Sequence, residues 1–320
     1  MTMLPIDSAH YRPSRLHDED RVWGATNCYV DLWIELLNAL GFDSTPALAF
    51  TLSVDFEGDQ WQSFKFPLED LRRLYGLDVA EMNTWREVAH HVDEQLAMGR
   101  FLIVEADSYF LPDTDRLSYR VEHVKTVIAP NMIDRDHQRL GYFHNTGYYE
   151  LQGDDFVGIF ERARNQPEVL PPYVELVKLD RIHHLDEDQL LDAVLGLVRV
   201  HLRRRPTTNP VRRFRQRLDR DIAWLRSDSL ATFHLYSYAT LRQLGSSAEL
   251  AGSLCEWLTA RGEPISEVAS EFRELALGAK TAQFQLARLV SGRNIDVGPI
   301  LERIEHQWDS TMRGLAGHYA

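Results

Sequence analysis

An α+β domain followed by an all-helical domain is the architecture the sequence predicts, on three observations. Up to about residue 180, short apolar or alternating runs lie between turn residues, as strands require. Beyond that point, apolar residues recur every three or four positions over segments long enough for helices. Gly, Pro, Ser and Asn punctuate the segments throughout. The expected domains are residues 1–180 and 181–320, with no repeat of fixed period and no low-complexity tail.

The first element lies in "ATNCYVDLWIELLNALGFD". Thr26 and Asn27 are good N-cap residues, and Val30, Ile34, Leu37 and Leu40 mark an apolar helical face that ends before Gly41. "ALAFTLSVDF", "RFLIVEAD", "HVKTVIA", "RLGYFHN" and "YVELVKLD" read as strands. In the helical "VAHHVDEQ", the adjacent His90 and His91 point to different faces and do not easily ligate one metal. The helices expected after residue 180 are "DEDQLLDAVLGLVRVHLRRR", "PVRRFRQRLDRDIAWLRS", "SLATFHLYSYATLRQLG", "SAELAGSLCEWLTARG", "PISEVASEFRELALGAKTAQFQLARLVSG" and "VGPILERIEHQWDSTMRGLAG".

Composition narrows the function. A chain of 320 residues with 44% hydrophobic content can bury one large core or two moderate ones. No run of about 18 apolar residues is present and the N-terminus lacks the apolar core of a signal peptide, so the expected compartment is the cytoplasm, with no membrane partner. A formal charge of -13 argues against general nucleic-acid binding, and no phosphate-cradling loop or serine-hydrolase elbow is found. Cys28 and Cys255 have no metal-ligand spacing, and no metal or bound cofactor is expected.

Cys28 falls in the first turn of the first helix, where unpaired N–H groups and the helix dipole favour a thiolate. That setting suits a nucleophile with a lowered pKa; the other reading is a small buried residue filling space. Cys255, amid helical leucines, reads as packing. In "VEHVKTVIA", His123 stands at the mouth of a strand, where an imidazole can act as base toward a thiol. "GYFHN" supplies Asn145 first and His144 second to orient that ring. The order Cys, helix, strand, His, strand, Asn is that of a papain-like cysteine site.

"NCYVDLWIELL", "DFEGDQW", "VKT" and "GYFHNTGYYEL" resemble blocks of a bacterial family catalogued as domain of unknown function 1839. More remotely, the order of features is similar to the N-terminal domain of butirosin-type acyltransferases, a papain-like branch that moves an aminoacyl group from a carrier protein to an amine. That resemblance implies Cys28 as nucleophile, "LAFTLSVDFEGDQWQSFKF" as a hairpin, Asp107 before the Leu111–Pro112 turn, His123 as base, and Asn145 where that group more often has Asp.

Four further features bear on substrate. Asp55, Glu57 and Asp59 in "VDFEGDQW" alternate along an expected strand and would share one face, suited to a cationic group such as a free α-amine; they read equally as a solvated hairpin edge. Asp107 is divided between substrate contact and turn capping, and Asn27 is a further oxyanion donor beside the backbone at Cys28. Arg203, Arg204, Arg205, Arg212, Arg213 and Arg215 form a basic stretch that fits an acidic acyl or aminoacyl carrier protein and its phosphopantetheine arm, or a solvated helix pair. The expected function is acyl or aminoacyl transfer through a cysteinyl thioester to a small-molecule amine or hydroxyl. A cysteine hydrolase, acting as peptidase, amidase or thioesterase, and a non-catalytic carrier-binding module are the alternatives.

Overall fold

The structure, a computed structural model, describes residues 1–160 and 170–319. The chain divides into two compact units that interleave in sequence. One comprises Met1–Asp18, Asn27–Ser44 and Leu68–His184; the other comprises Glu19–Thr26, Thr45–Pro67 and Leu185–Ala320. A single cut at residue 180 therefore separates the long helices from the sheet but misplaces two early segments.

The first unit is α+β. Its sheet is antiparallel throughout, in the order β1-β6-β2-β3-β4-β5. The strands are β1 (Asp78–Glu81), β2 (Arg100–Asp107), β3 (Lys125–Asp134), β4 (Arg139–His144), β5 (Gly147–Gln152) and β6 (Val174–Lys178). The helices are α1 (Cys28–Ala39), α2 (Leu68–Tyr75), α3 (Val88–Ala97) and α4 (Asp154–Phe160). Fully buried Leu32, Trp33, Ile34, Leu36 and Leu37 make α1 the core helix, and it packs on β3, β4 and β5.

Register fixes what each sheet face carries. Ala106 stands opposite Thr126, and Asp107 opposite Lys125. Because successive side chains alternate, Glu105, Asp107 and Lys125 share one face, while Ala106 and Thr126 share the other. On β4, Tyr142 stands opposite Pro130, which puts Tyr142 and His144 on the Thr126 side. That side receives α1.

The second unit is helical: α5 (Glu187–Arg204), α6 (Pro210–Ser227), α7 (Leu230–Ser237), α8 (Gln243–Thr259), α9 (Ser266–Val290) and α10 (Gly298–Tyr319). The expected break at Gly245 does not occur. A π-helical turn at Tyr238–Arg242 joins α7 to α8, and Gly245 lies inside α8 because a Cβ there would come within 2.4 Å of the Trp23 ring. Trp23 belongs to an early segment tied down at several points. Glu249 accepts from the N–H groups of Val22 and Trp23 at 2.9 and 2.7 Å, and Arg242 donates to the Ala25 carbonyl at 2.9 Å. The other early segment was expected to open with a strand at "ALAFTLSVDF"; Thr45–Ser53 is instead a buried 3-10 helix against α5 and α8. A short apolar run carries no period that tells the two apart.

Candidate active site

Asn27 closes the start of α1, its Oδ1 accepting from the Val30 N–H at 3.0 Å. Cys28 is then the first helical residue, as the capping pattern predicts. Its sulfur meets the Thr126 hydroxyl and the backbone of Val127 and Tyr29, contacts that favour the thiolate. Burial outweighs them, with the nearby Asp31 charge adding to it, and the thiol pKa is raised. The lowered value expected from the helix dipole is thus corrected: desolvation dominates at a half-buried sulfur.

Thr126 connects the sulfur to a buried acid–base pair. Its Oγ1 lies 2.7 Å from His144 Nε2, and His144 Nδ1 lies 2.6 Å from Asp113 Oδ2. A carboxylate only accepts, so Nδ1 carries the proton, and the single Thr126 proton can turn either to Nε2 or to the Cys28 sulfur. Tyr142 donates to the other Asp113 oxygen at 2.6 Å. Burial and the Asp113 charge push the Tyr142 pKa far up, which keeps it a donor. The side chains of His144 and Asp113 are only 1% and 3% exposed, so no water competes for these bonds. Asp113 sits in the short turn Pro112–Thr114, immediately after Leu111.

His123 goes elsewhere. Its Nδ1 lies 2.6 Å from Asp107 Oδ2, its ring stacks on Tyr109 at 4.3 Å, and its side chain is 54% exposed. Asp107 also caps the turn Ser108–Phe110, accepting from Tyr109 N–H at 3.1 Å. Cys28 and His123 thus attach to partners on opposite faces of the sheet, which corrects the expected pairing of the two. The same alternation assigns His144 to the Cys28 side, as the partner of Thr126 and not as an orienter of His123. Asn145 occupies the β4–β5 turn with φ 46 and comes no nearer than 3.4 Å to His144 Nδ1. Thr126 and Asp113 were missed by sequence reasoning, although Thr126 ends the quoted "VKT" and Asp113 directly follows the Leu111–Pro112 turn.

A second buried cluster shares α1. Asp31 and Glu35 follow Cys28 at helical spacing and are almost wholly buried with His17, whose Nε2 lies 3.3 Å from Asp31 Oδ1 and whose Nδ1 bonds Glu35. Tyr11 OH donates to Glu35 Oε2 at 2.5 Å, and the Ser14 N–H to Oε1 at 3.0 Å. Burial works against the charged imidazole, but Asp31 and then Glu35 outweigh it and hold the His17 pKa up at about 9.

The remaining predicted residues lie in the helical unit. Glu57 and Asp59 lie within, and Asp55 just before, a turn closed by a single bridge between Phe56 and Trp61, not a strand. Asp55 pairs with Arg213, which also donates to the Phe56 carbonyl at 2.5 Å, and Glu57 accepts from Gln62 at 2.7 Å. A shared strand face of carboxylates is therefore absent at these three residues. Arg212 pairs with Glu305 at 2.6 Å and Arg215 with Glu302 at 2.9 Å, while Arg205 donates to the Leu202 carbonyl at 2.7 Å. Arg203 and Arg204 are exposed near the end of α5. Cys255 is fully buried with its pKa pushed up to about 12, consistent with packing.

Among the described residues no group of three His, Cys, Asp or Glu side chains forms a metal cluster, and no helix is long and apolar enough to cross a membrane. The family model described as DUF1839 N-terminal domain matches residues 12–179, and that described as DUF1839 C-terminal domain matches residues 187–317. No curated protein matches the chain.

Proposed function

The chain belongs to the DUF1839 family, and from that premise we propose that its α+β unit is a papain-like thiol acyltransferase, taking an aminoacyl group from a carrier-protein thioester onto Cys28. The observation that carries this reading is the unbroken chain from sulfur to Thr126, His144 and Asp113. At rest, S–H donates to the Thr126 oxygen and Thr126 O–H donates to His144 Nε2. As Cys28 attacks the thioester carbonyl, its proton passes to the Thr126 oxygen while the Thr126 proton passes to Nε2. Asp113 stabilises the imidazolium so formed. Collapse of the tetrahedral intermediate breaks the carbon–sulfur bond to the phosphopantetheine arm, and the departing thiolate recovers the proton by the reverse path. An acceptor amine or hydroxyl then attacks the Cys28 thioester, its proton passing through Thr126 to His144, and the departing Cys28 sulfur takes that proton back along the same path to restore the thiol. Water in place of that acceptor gives the hydrolase.

A raised thiol pKa suits this scheme, because the proton moves during attack and not beforehand. It equally supports a second reading, in which Cys28 stays protonated and the unit only binds an aminoacylated carrier. The exposed Arg203 and Arg204 are the basic groups offered to that acidic partner.

Mass spectrometry after mixing the full chain with an aminoacylated carrier separates these readings. Transfer predicts an adduct on Cys28 that an added amine discharges, and none in Cys28→Ala. Carrier binding without an adduct leaves the binding module. In parallel, iodoacetamide labelling of Cys28 is expected to be slow at neutral pH and to accelerate only at a pH higher than an ordinary thiol needs, because its pKa is raised by burial. Asp31→Asn is expected to move that rise to lower pH by removing a repelling charge.

A further inference from the structure

The face of the sheet opposite Thr126 carries a cavity of about 580 Å³, a volume suited to a small organic ligand. It opens where β2 ends and β3 begins. The loop Thr84–Glu87 and Val88 of α3 form one wall, and Gly158 to Phe160 of α4 with Leu170 to Pro172 form the other. Gly158 lets α4 close on Phe110, since a Cβ there would come within 2.1 Å of that ring.

Two features of the lining define the ligand. The floor is polar and of both signs: Lys125 Nζ lies 2.8 Å from Glu105 Oε2, beside the His123–Asp107 pair. Glu105 and Lys125 are 29% and 73% exposed, and a pair so open to solvent contributes little, so a ligand's own charges can replace it. The rim carries large apolar side chains exposed to solvent, beside Arg86, whose guanidinium lies 4.9 Å from the centre of the Trp85 ring. Trp85 is 78%, Leu170 84% and Val124 43% exposed, large side chains left in water around one opening.

We propose that this cavity is a binding site for a small zwitterion with an apolar or aromatic body, of the free α-amino acid class. The ligand's ammonium bonds Glu105, its carboxylate bonds Lys125, and its side chain covers Trp85 and Leu170. The backbone of β2 and β3 separates this site from the Cys28 sulfur, so the proposal stands apart from the acyl-transfer reading.

Calorimetric titration of the full chain with L-phenylalanine, phenethylamine and 3-phenylpropionate tests it. L-Phenylalanine is expected to bind at least tenfold more tightly than either single-charge analogue. Glu105→Gln and Lys125→Met are each expected to weaken it about tenfold, the scale of one charged hydrogen bond, and Trp85→Ala by a similar factor. All three side chains are partly or largely exposed, so the fold survives their replacement. Cys28→Ala is expected to leave binding unchanged, whatever happens to transfer. No heat with L-phenylalanine up to about 10 mM, equal binding of the amine alone, or unchanged affinity in both Glu105→Gln and Trp85→Ala would overturn the assignment.

Discussion

His144 and His123 stand on opposite sides of one sheet, each with its Nδ1 held 2.6 Å from an aspartate. What differs is everything around that bond. His144 is buried and its second nitrogen continues through Thr126 to a sulfur, whereas His123 is half exposed and lies flat on Tyr109. A short His–Asp contact therefore does not identify a general base. What separates the two histidines is the partner of the far nitrogen and the exclusion of water.

The largest expected effect tests that contrast directly. His144→Gln should reduce carrier-dependent transfer by about 10²–10⁴, the range for losing a positioned acid–base group, while His123→Gln should reduce it less than about tenfold. Thermal melts of both proteins check folding, and His144→Asn gives a smaller buried replacement if the first variant is unstable. Should His123→Gln be the inactive one, the roles assigned to the two faces are reversed.

A smaller effect concerns the helix that presents Cys28. The folded pKa of His17, about 9, lies above its unfolded value near 6.5, so its contribution to stability is complete below pH of about 6.5 and disappears as pH rises through about 9. The shift corresponds to about 3 kcal/mol at low pH. Urea unfolding should show the native protein losing stability across that window, and His17→Gln should be less stable below it with the slope removed. A flat profile in the native protein would show that Asp31 and Glu35 do not hold the imidazolium.

Asn145 gives the smallest effect and sharpens the comparison by elimination. Its φ of 46 is a left-handed conformation that Gly and Asn accept and β-branched residues resist. Asn145→Gly should melt within a few degrees of the native protein, and Asn145→Val should lose about 1–2 kcal/mol. Neither should alter transfer by more than about twofold, the expected result for a turn residue. A hundredfold loss in Asn145→Gly would restore it as an orienting group.

Much of the fold was legible because local signals agree with the final structure. Asn27 caps the helix that Cys28 begins, and the long amphipathic segments after residue 180 are helices. The site was legible only as residue types. His123, Asn145 and His144 all lie near the sheet end, but a three-residue offset along a strand reverses the face, and register is invisible in sequence. Asp113 gave only an ordinary turn signal, and Thr126 looked like one more β-branched residue of a strand. The acidic trio and the basic run each read as binding surfaces. Asp55 meets Arg213 across more than 150 residues of chain, a contact that no spacing rule anticipates.

The sequence by itself determined where helices start, which segments are apolar enough to be cores, and that a cysteine heads the first helix. Those properties depend on neighbours within a turn or two. Tertiary structure alone decided the raised pKa of that cysteine, the imidazole its hydrogen-bonded neighbour meets and the burial of Asp31 and Glu35 on a helix with an apolar face. Charge and desolvation act through space, and the groups that settle them, Thr126, His144 and His17, arrive from other parts of the chain.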